Sequence, residues 1–279
     1  MRVGMVQMTA VRNDKEANLL KMESFIKKAS EENASIVCFP ELSVTGYSKG
    51  EPMAVAESID GPSVKRLQKL VETYNVTVLA GMAERTDSGV YISHLSIKPG
   101  EDIEVYRKTH LGAREKKTFN QGSKIPVFQA TGAQKKSKYG IGLCYDLHYP
   151  ELVTSMAVQG AKVIFAPHAT PIGGVRRLAI WEKYMPARAY DNGVYVLACN
   201  LVGHDGKKDF GGGIGVWNPK GENILACHDE KELMLMLDLD LDIFNKKGGM
   251  GKTAGFLNDR RVKLYLNSAG FTLESSKTS

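Results

Sequence analysis

Lys138-Tyr139-Gly140-Ile141-Gly142-Leu143-Cys144-Tyr145-Asp146-Leu147-His148-Tyr149-Pro150-Glu151 decides how the rest of the chain is read. Tyr139 to Leu143 is a short apolar run with small residues, the pattern of a buried strand. The run ends on a cysteine and a polar turn. Pro150-Glu151 then opens an amphipathic segment, Leu152 to Gln159. Proline suits the first turn of a helix, where its missing N–H is not needed, and Glu151 complements the helix dipole. The pattern places Cys144 on a strand-to-helix turn, near a helix N-terminus. A thiol in that field loses its proton more easily, and backbone N–H groups of the turn can face a developing oxyanion. The competing reading of such a cysteine is a small buried hydrophobe, so other stretches have to decide between the two.

The chain has 279 residues, enough for one large domain or two small ones. Its 43% hydrophobic and 24% charged content is that of a globular protein in water. The formal net charge is +6, but the basic residues fall in scattered pairs such as Lys116-Lys117, Lys135-Lys136, Arg176-Arg177 and Lys246-Lys247. A nucleic-acid surface would be denser and interleaved with aromatics, so no nucleic acid is expected as a partner. Of the four cysteines, Cys38, Cys199 and Cys227 lie in strand-like runs and read as core. The absence of a disulfide pattern, and of a leader ahead of the first strand, points to the cytoplasm. No apolar run approaches bilayer length, so no membrane is expected as a partner either.

Strand and helix signals alternate from the start. Arg2 to Met8 reads as a strand. Asp14 caps a helix from Lys15 to Glu32, and Ser35 to Phe39 is a β run. Asp60-Gly61-Pro62 starts a second helix, to about Tyr74. Val76 to Met82, Gly89 to Ile97 and Ile103 to Tyr106 are strands, followed by a polar loop from Thr109 to Lys124. Loops of that length in compact domains are usually functional. Ile125 to Gln129, Lys138 to Leu143, Ala161 to Ala166 and Gly193 to Cys199 are further strands. One helix is expected from about Val175 to Tyr190, an antiparallel meander over Gly212–Trp217, Asn223–Cys227 and Glu232–Leu239, and a short helix from Asp240 to Lys247. No linker or repeat divides the chain. The expectation is one α/β domain over residues 1–279, built in layers, with a loose extension from about 248.

Two more strands end on polar residues that a buried strand has no reason to carry. Phe39-Pro40-Glu41 runs into a carboxylate, and Glu104-Val105-Tyr106-Arg107-Lys108 runs into an ammonium. If their strands are neighbours in one sheet, Glu41, Lys108 and Cys144 meet at its edge, where layered α/β folds commonly hold their sites. The chemistry is coherent. A thiol attacks a carbonyl or nitrile carbon, a carboxylate takes its proton and later activates water, and an ammonium stabilises the oxyanion.

Phe-Pro-Glu-Leu-x-x-x-Gly-Tyr at residues 39–47, Arg-Lys-x-His-Leu at 107–111 and Gly-x-x-Cys-Tyr-Asp-x-x-Tyr-Pro-Glu around Cys144 occur in an order that resembles the nitrilase superfamily of carbon–nitrogen hydrolases. The resemblance extends over nearly the whole chain. Glu115-Lys116-Lys117-Thr118-Phe119-Asn120-Gln121-Gly122 resembles the loop carrying the family's second glutamate. Arg188-Ala189-Tyr190-Asp191-Asn192 resembles its Arg-Ala-x-x-Asn helix end. Arg260-Arg261-Val262-Lys263-Leu264-Tyr265 resembles its C-terminal Arg-Arg-Pro-x-x-Tyr, with Val262 in place of proline.

The resemblance implies a four-layer α-β-β-α sandwich, at least a homodimer formed through the helices after Cys144 and around 175–192, and no metal or organic cofactor. It implies Glu41 as general base, Lys108 as the stabilising cation, Cys144 as nucleophile and Glu115 as the second carboxylate, against a plain surface charge at Glu115. Cys144-Tyr145-Asp146 differs from the Cys-Trp-Glu of true nitrilases and is similar to the amidase and carbamoylase branches. The implied activity is hydrolysis of a linear amide or N-carbamoyl compound through a thioester, releasing ammonia, with a nitrilase or a non-catalytic binding relative as alternatives. A small-molecule pocket is expected from Tyr47, Tyr145, His148, His168 and Ala169. His148 as a turn residue and His168 as a core histidine stay open. Arg176 and Arg177 suit a substrate carboxylate, or a solvated helix start.

Overall fold

The computed structural model describes residues 1–47, 52–131, 137–244 and 256–268. Two six-stranded sheets form its centre. The first is built from β1 (Arg2–Gln7), β2 (Ile36–Cys38), β3 (Thr77–Thr86), β4 (Gly89–Ile97), β5 (Glu104–Arg107) and, from far along the chain, β14 (Leu233–Asp238), in the order β14-β1-β2-β3-β4-β5. The second is built from β6 (Val127–Gln129), β7 (Lys138–Ile141), β8 (Ala161–His168), β9 (Tyr195–Asn200), β12 (Ile214–Trp217) and β13 (Asn223–Cys227), in the order β13-β12-β9-β8-β7-β6. β10 (Val202–His204) and β11 (Asp209–Gly211) form a small ribbon. In each large sheet three central strands run parallel, and the flanking strands are antiparallel.

Strand alternation sorts the core. Val3, Met5, Ile36, Cys38 and Leu79 join the large cluster shared with the second sheet. Val6, Val37, Phe39, Val78 and Ala80 turn the other way, toward α1 (Lys15–Glu31) and α3 (Pro62–Tyr74). Those helices contribute Leu19, Met22, Ile26, Val64, Leu67 and Val71 to the outer cluster. Asp14 caps α1 as expected, accepting from the Ala17 amide at 3.0 Å. On the far side α4 (Pro150–Val158) and α6 (Met185–Asn192) pack against the second sheet, with α5 (Gly174–Trp181) against β12. Helix, sheet, sheet, helix is the layering expected. A short α2 (Pro52–Val55) and a terminal α7 (Val262–Ser268) are further helices, and residues 256–258 are also helical.

Four expectations are corrected. First, the presumed meander is divided. β14 leaves β12 and β13 and pairs with β1 in the other sheet, from Arg2 opposite Asp238 to Gln7 opposite Leu233. This covers a β1 edge that would otherwise be exposed, and Arg2 pairs with Asp238 at 2.7 Å. Second, the single helix expected over 175–190 is two, α5 and α6. Pro186 cannot donate to the carbonyl four residues back, so a new helix starts around it. Third, Leu241–Phe244 is one 3₁₀ turn, and the rest of the expected helix, 245–247, lies outside the described residues. Fourth, within the extension expected to be loose, α7 is helical, while 248–255 and 269–279 lie outside the described residues.

Candidate active site

The strands carrying the expected catalytic residues are not neighbours in one sheet. β3 and β4 separate β2 from β5, and β7 belongs to the other sheet. Glu41, Lys108 and Cys144 converge because all three follow strands whose C-terminal ends point the same way across the two sheets. Helices on both outer faces leave that shared end open to loops.

Glu41 follows β2 in a tight turn where Leu42 adopts φ +58°. The turn lies directly on Gly81 of β3. A Cβ there would collide with the Leu42 amide and come within 3.0 Å of the Glu41 carbonyl carbon, so glycine is required for this close approach. Glu41 is only 1% exposed. Lys108 is fully buried beside it, and its Nζ donates to Glu41 Oε1 at 2.7 Å and to Glu115 Oε1 at 3.2 Å. Glu115 opens a 3₁₀ turn, Glu115–Lys117, inside the polar loop. Its Oε2 accepts the Gly112 amide at 2.8 Å, and its Oε1 accepts the Tyr47 hydroxyl at 3.1 Å. Glu115 is therefore buried and oriented rather than a surface charge.

One ammonium thus serves two buried carboxylates. Burial alone would lower the Lys108 pKa, but the surrounding acidic groups, Glu41 foremost, hold it well above the ordinary lysine value. Lys108 stays charged. Glu41 moves the opposite way from a usual ion-paired carboxylate. Burial raises it most, Lys108 pulls it down, and Glu115 and Asp146 push it up again, leaving it at about 7. Its second oxygen, Oε2, is buried with no hydrogen-bond partner among the described residues. A carboxylate with a free oxygen and a pKa near neutrality has the properties of a general base.

Cys144 sits at φ +46°, in the left-handed region that costs a side-chain-bearing residue about 1–2 kcal/mol. It opens a 3₁₀ turn, Cys144–His148, and α4 begins only at Pro150. The expectation of an acidified thiol is corrected here. Burial raises the thiol pKa, Glu41 raises it further, and Lys108 and Thr170 offset only part of this. Cys144 rests as a thiol and needs a base. The strain is held by Asp146, which is fully buried. Its Oδ2 accepts the Leu143 amide at 2.9 Å and the Tyr106 hydroxyl at 2.8 Å. Its Oδ1 accepts the His110 amide at 2.7 Å and the Thr109 hydroxyl at 3.1 Å. One carboxylate thereby ties the Lys108 loop to the Cys144 turn. Sequence reasoning read Asp146 only as part of a motif.

The expected pocket residues separate. Tyr145 is partly exposed and packs on His148 and Tyr149. His148 packs against Tyr184 in a tilted arrangement, with ring centroids 4.6 Å apart. Tyr47 supports Glu115 from a buried position. His168 is entirely buried, with Nδ1 2.7 Å from the Ala166 carbonyl and Nε2 accepting Trp181 Nε1–H at 3.0 Å. Both ring nitrogens are used internally, so it offers no polar contact to a substrate; burial, then Arg177, keeps it neutral. Ala169 is buried beside it and leads to Thr170. The Thr170 hydroxyl lies 3.4 Å from Cys144 Sγ, and its backbone is clamped by Asn200, which accepts the Thr170 amide at 2.9 Å and donates to its carbonyl at 3.0 Å. Thr170 belongs to the stretch 167–171 that the sequence suggested as pocket lining, but its contact with the thiol was not foreseen, and Asn200 carries no motif signal and was missed. Of the arginine pair, Arg176 is exposed and Arg177 is buried, donating to the Thr170 hydroxyl at 3.3 Å.

The model of the carbon-nitrogen hydrolase family matches residues 2–244. The chain belongs to that family. Curated carbon–nitrogen hydrolases similar to it include a probable nitrilase of Schizosaccharomyces pombe, 31% identical over 94% of this chain and 96% of the relative. An N-carbamoylputrescine amidase of Solanum lycopersicum is 31% identical over 92% and 91%. Among solved structures, a Cys-to-Ala mutant of a Nesterenkonia sp. AN1 amidase in complex with butyramide superposes with a TM-score of 0.81, at 25% identity and over 96% of each chain. The two large sheets flanked by helices are the family's fold.

Proposed function

We propose that this carbon–nitrogen hydrolase is an amidase acting on linear amide or N-carbamoyl compounds, with Cys144 as nucleophile. The observation that carries the reading is Lys108 held between Glu41 and Glu115, with a free Glu41 oxygen and a protonated thiol beside it. The substrate carbonyl takes its place between Lys108 and the backbone N–H after Cys144. Glu41 accepts the thiol proton as the S–C bond forms, and Lys108 stabilises the oxyanion. Glu41 passes that proton to the leaving nitrogen. The C–N bond breaks, ammonia or an amine departs, and a thioester remains. Water then gives a proton to Glu41 and attacks the thioester carbon. The C–S bond breaks, the acid is released and the thiol is restored.

Because Glu41 must be ionised to act, kcat/KM is expected to rise with pH through about 7 and level off above it. Lys108 remains charged over that range. Ammonia release would be followed across pH for small amides, N-carbamoyl compounds and nitriles. A rise with amides or carbamoyl substrates supports the reading. Turnover of nitriles alone overturns the branch, and a rate falling through pH 7 overturns Glu41 as base.

The same reading places the enzyme in the cytoplasm, in keeping with its unbridged Cys38, Cys144, Cys199 and Cys227. It also makes the enzyme a homodimer or larger, associating through the faces of α4 to α6. Exposed Val158, at 59%, and Tyr190, at 46%, support that interface. A monomer mass by light scattering would remove the association.

A further inference from the structure

Consecutive residues on a helix lie about 100° apart, so α5 turns Arg176 to solvent and Arg177 inward. Arg177 is only 5% exposed. Among the described residues no carboxylate lies within ion-pair distance of it. Its Nε is buried without an acceptor, and its one side-chain hydrogen bond among the described residues runs to the Thr170 hydroxyl at 3.3 Å. That same hydroxyl is 3.4 Å from Cys144 Sγ. The guanidinium therefore stands one side chain away from the nucleophile.

A second donor is left over against the Cys144–His148 turn. Tyr184, 9% exposed, has a buried hydroxyl with no partner among the described residues. Its ring lies 4.6 Å from that of His148, in the turn that Cys144 opens; burial first, then Cys144, raises its phenol, and Arg177 and Arg188 lower it. Arg188, by contrast, spends Nε on the Leu147 carbonyl and Nη2 on the His148 carbonyl, each at 3.0 Å.

The guanidinium is held, not loose. It lies over the Trp181 ring, 5.5 Å from the centroid. Trp181 is fixed by its bond to His168, and His168 by its bond to Ala166. A ring face orients a cation but supplies no lone pairs to Nε. Burying an unpaired guanidinium is costly, and two buried donors left without partners near Cys144 call for an acceptor carrying negative charge.

We infer that Arg177 and Tyr184 form an anion subsite beside Cys144, so that the substrate carries a carboxylate a short chain away from the carbonyl that is attacked. This rests on the amidase reading and narrows it. A monoamide of a short dicarboxylic acid and an N-carbamoyl amino acid share that chemistry. A substrate with an ammonium tail would meet Arg177 with like charge.

The test compares kcat/KM for glutaramate and pentanamide, which have the same chain length and differ in the carboxylate, and for N-carbamoyl-β-alanine and propylurea. The carboxylate member of one pair is expected to be favoured by about 100-fold, the scale of a charge-assisted hydrogen-bonded pair. Whichever pair shows the preference identifies the substrate type. The ratio should fall toward unity in Arg177→Gln and recover in part in Arg177→Lys. Tyr184→Phe, which removes only the hydroxyl, should raise KM for the carboxylate substrate about tenfold, the loss of one hydrogen bond to a charged group. Melting curves confirm that the variants fold. Equal or better turnover of the neutral members, still dependent on Cys144, would overturn the subsite and leave the amidase reading standing. Absence of Cys144-dependent ammonia from every compound would overturn the amidase reading instead. The subsite would then be decided by calorimetric titration of Cys144→Ala with glutarate against valerate. Binding of glutarate that Arg177→Gln abolishes supports it, and no binding of either acid overturns it.

Discussion

Cys144→Ala is expected to lower turnover by at least about 10⁴-fold, the scale on which loss of a catalytic nucleophile acts, while leaving the melting temperature near that of the native enzyme. The two halves of this expectation come from different features. In the proposed mechanism the thiol forms the bond to substrate, and the neighbouring Thr170 hydroxyl does not replace it. Thr170 lies beside Sγ, but its backbone is clamped by Asn200 and it points at the thiol rather than at Glu41. The backbone at 144 is strained by φ +46°, but alanine meets the same constraint as cysteine, so the strain does not change. The turn is fixed by Asp146 and the Leu143 amide, which the substitution does not touch. Ammonia release and thermal melting of the same preparation check both halves. A folded variant with native turnover would remove Cys144 from the chemistry.

Lys108→Met is expected to act on fold and chemistry together. It leaves Glu41 and Glu115 buried with no ammonium between them. Removing one partner from a buried charge cluster costs about 3–5 kcal/mol, or about 6–20 °C in melting temperature for a chain of this size. The loss depends on pH. The folded-state pKa of Glu41 is raised above its ordinary 4.5 to about 7, so ionising it already costs stability as pH rises through that window. Without Lys108 that cost grows. The destabilisation should be largest above pH 7 and smaller near pH 5, where Glu41 is protonated. The contribution of Lys108 itself does not fade in this range, because its raised pKa keeps it charged. Chemistry suffers twice, since the oxyanion loses its cation and the base is held protonated at neutral pH. A fall of at least about 10³-fold in kcat is expected. Melting at pH 5 and pH 8 with kinetics at pH 8 tests this, and equal melting shifts at both pH values would contradict the coupling.

Strands that run into charged residues were legible because apolar runs have no reason to end on Glu41, Lys108 or Cys144. Glu115 was legible only through the resemblance, because its burial depends on Tyr47 and Gly112 closing over it. Periodicity reports which face of a strand is buried, not which strand lies beside it. The sequence pattern therefore suggested one sheet for the site where the fold uses two, and β14 read as part of a meander. The helix break between α5 and α6 was present in the sequence as Pro186.

The thiol was read from a helix field that begins six residues later, while burial and Glu41 act at contact and dominate. Arg176 and Arg177 are indistinguishable in sequence, and the packing of Trp181 decides which one turns inward. His168 could be read as pocket wall or core, and its two internal hydrogen bonds make it a support for Trp181.

The account centres on a covalent thioester at Cys144 formed with Glu41 as base. Acid-quenched intact-protein mass spectrometry during turnover, followed by peptide mapping, observes it most directly. The predicted result is a mass gain equal to the substrate's acyl group, located on the peptide containing Cys144 and absent from Cys144→Ala. Ammonia release that depends on Glu41 and Lys108 but proceeds with an acyl group on another residue would contradict the account.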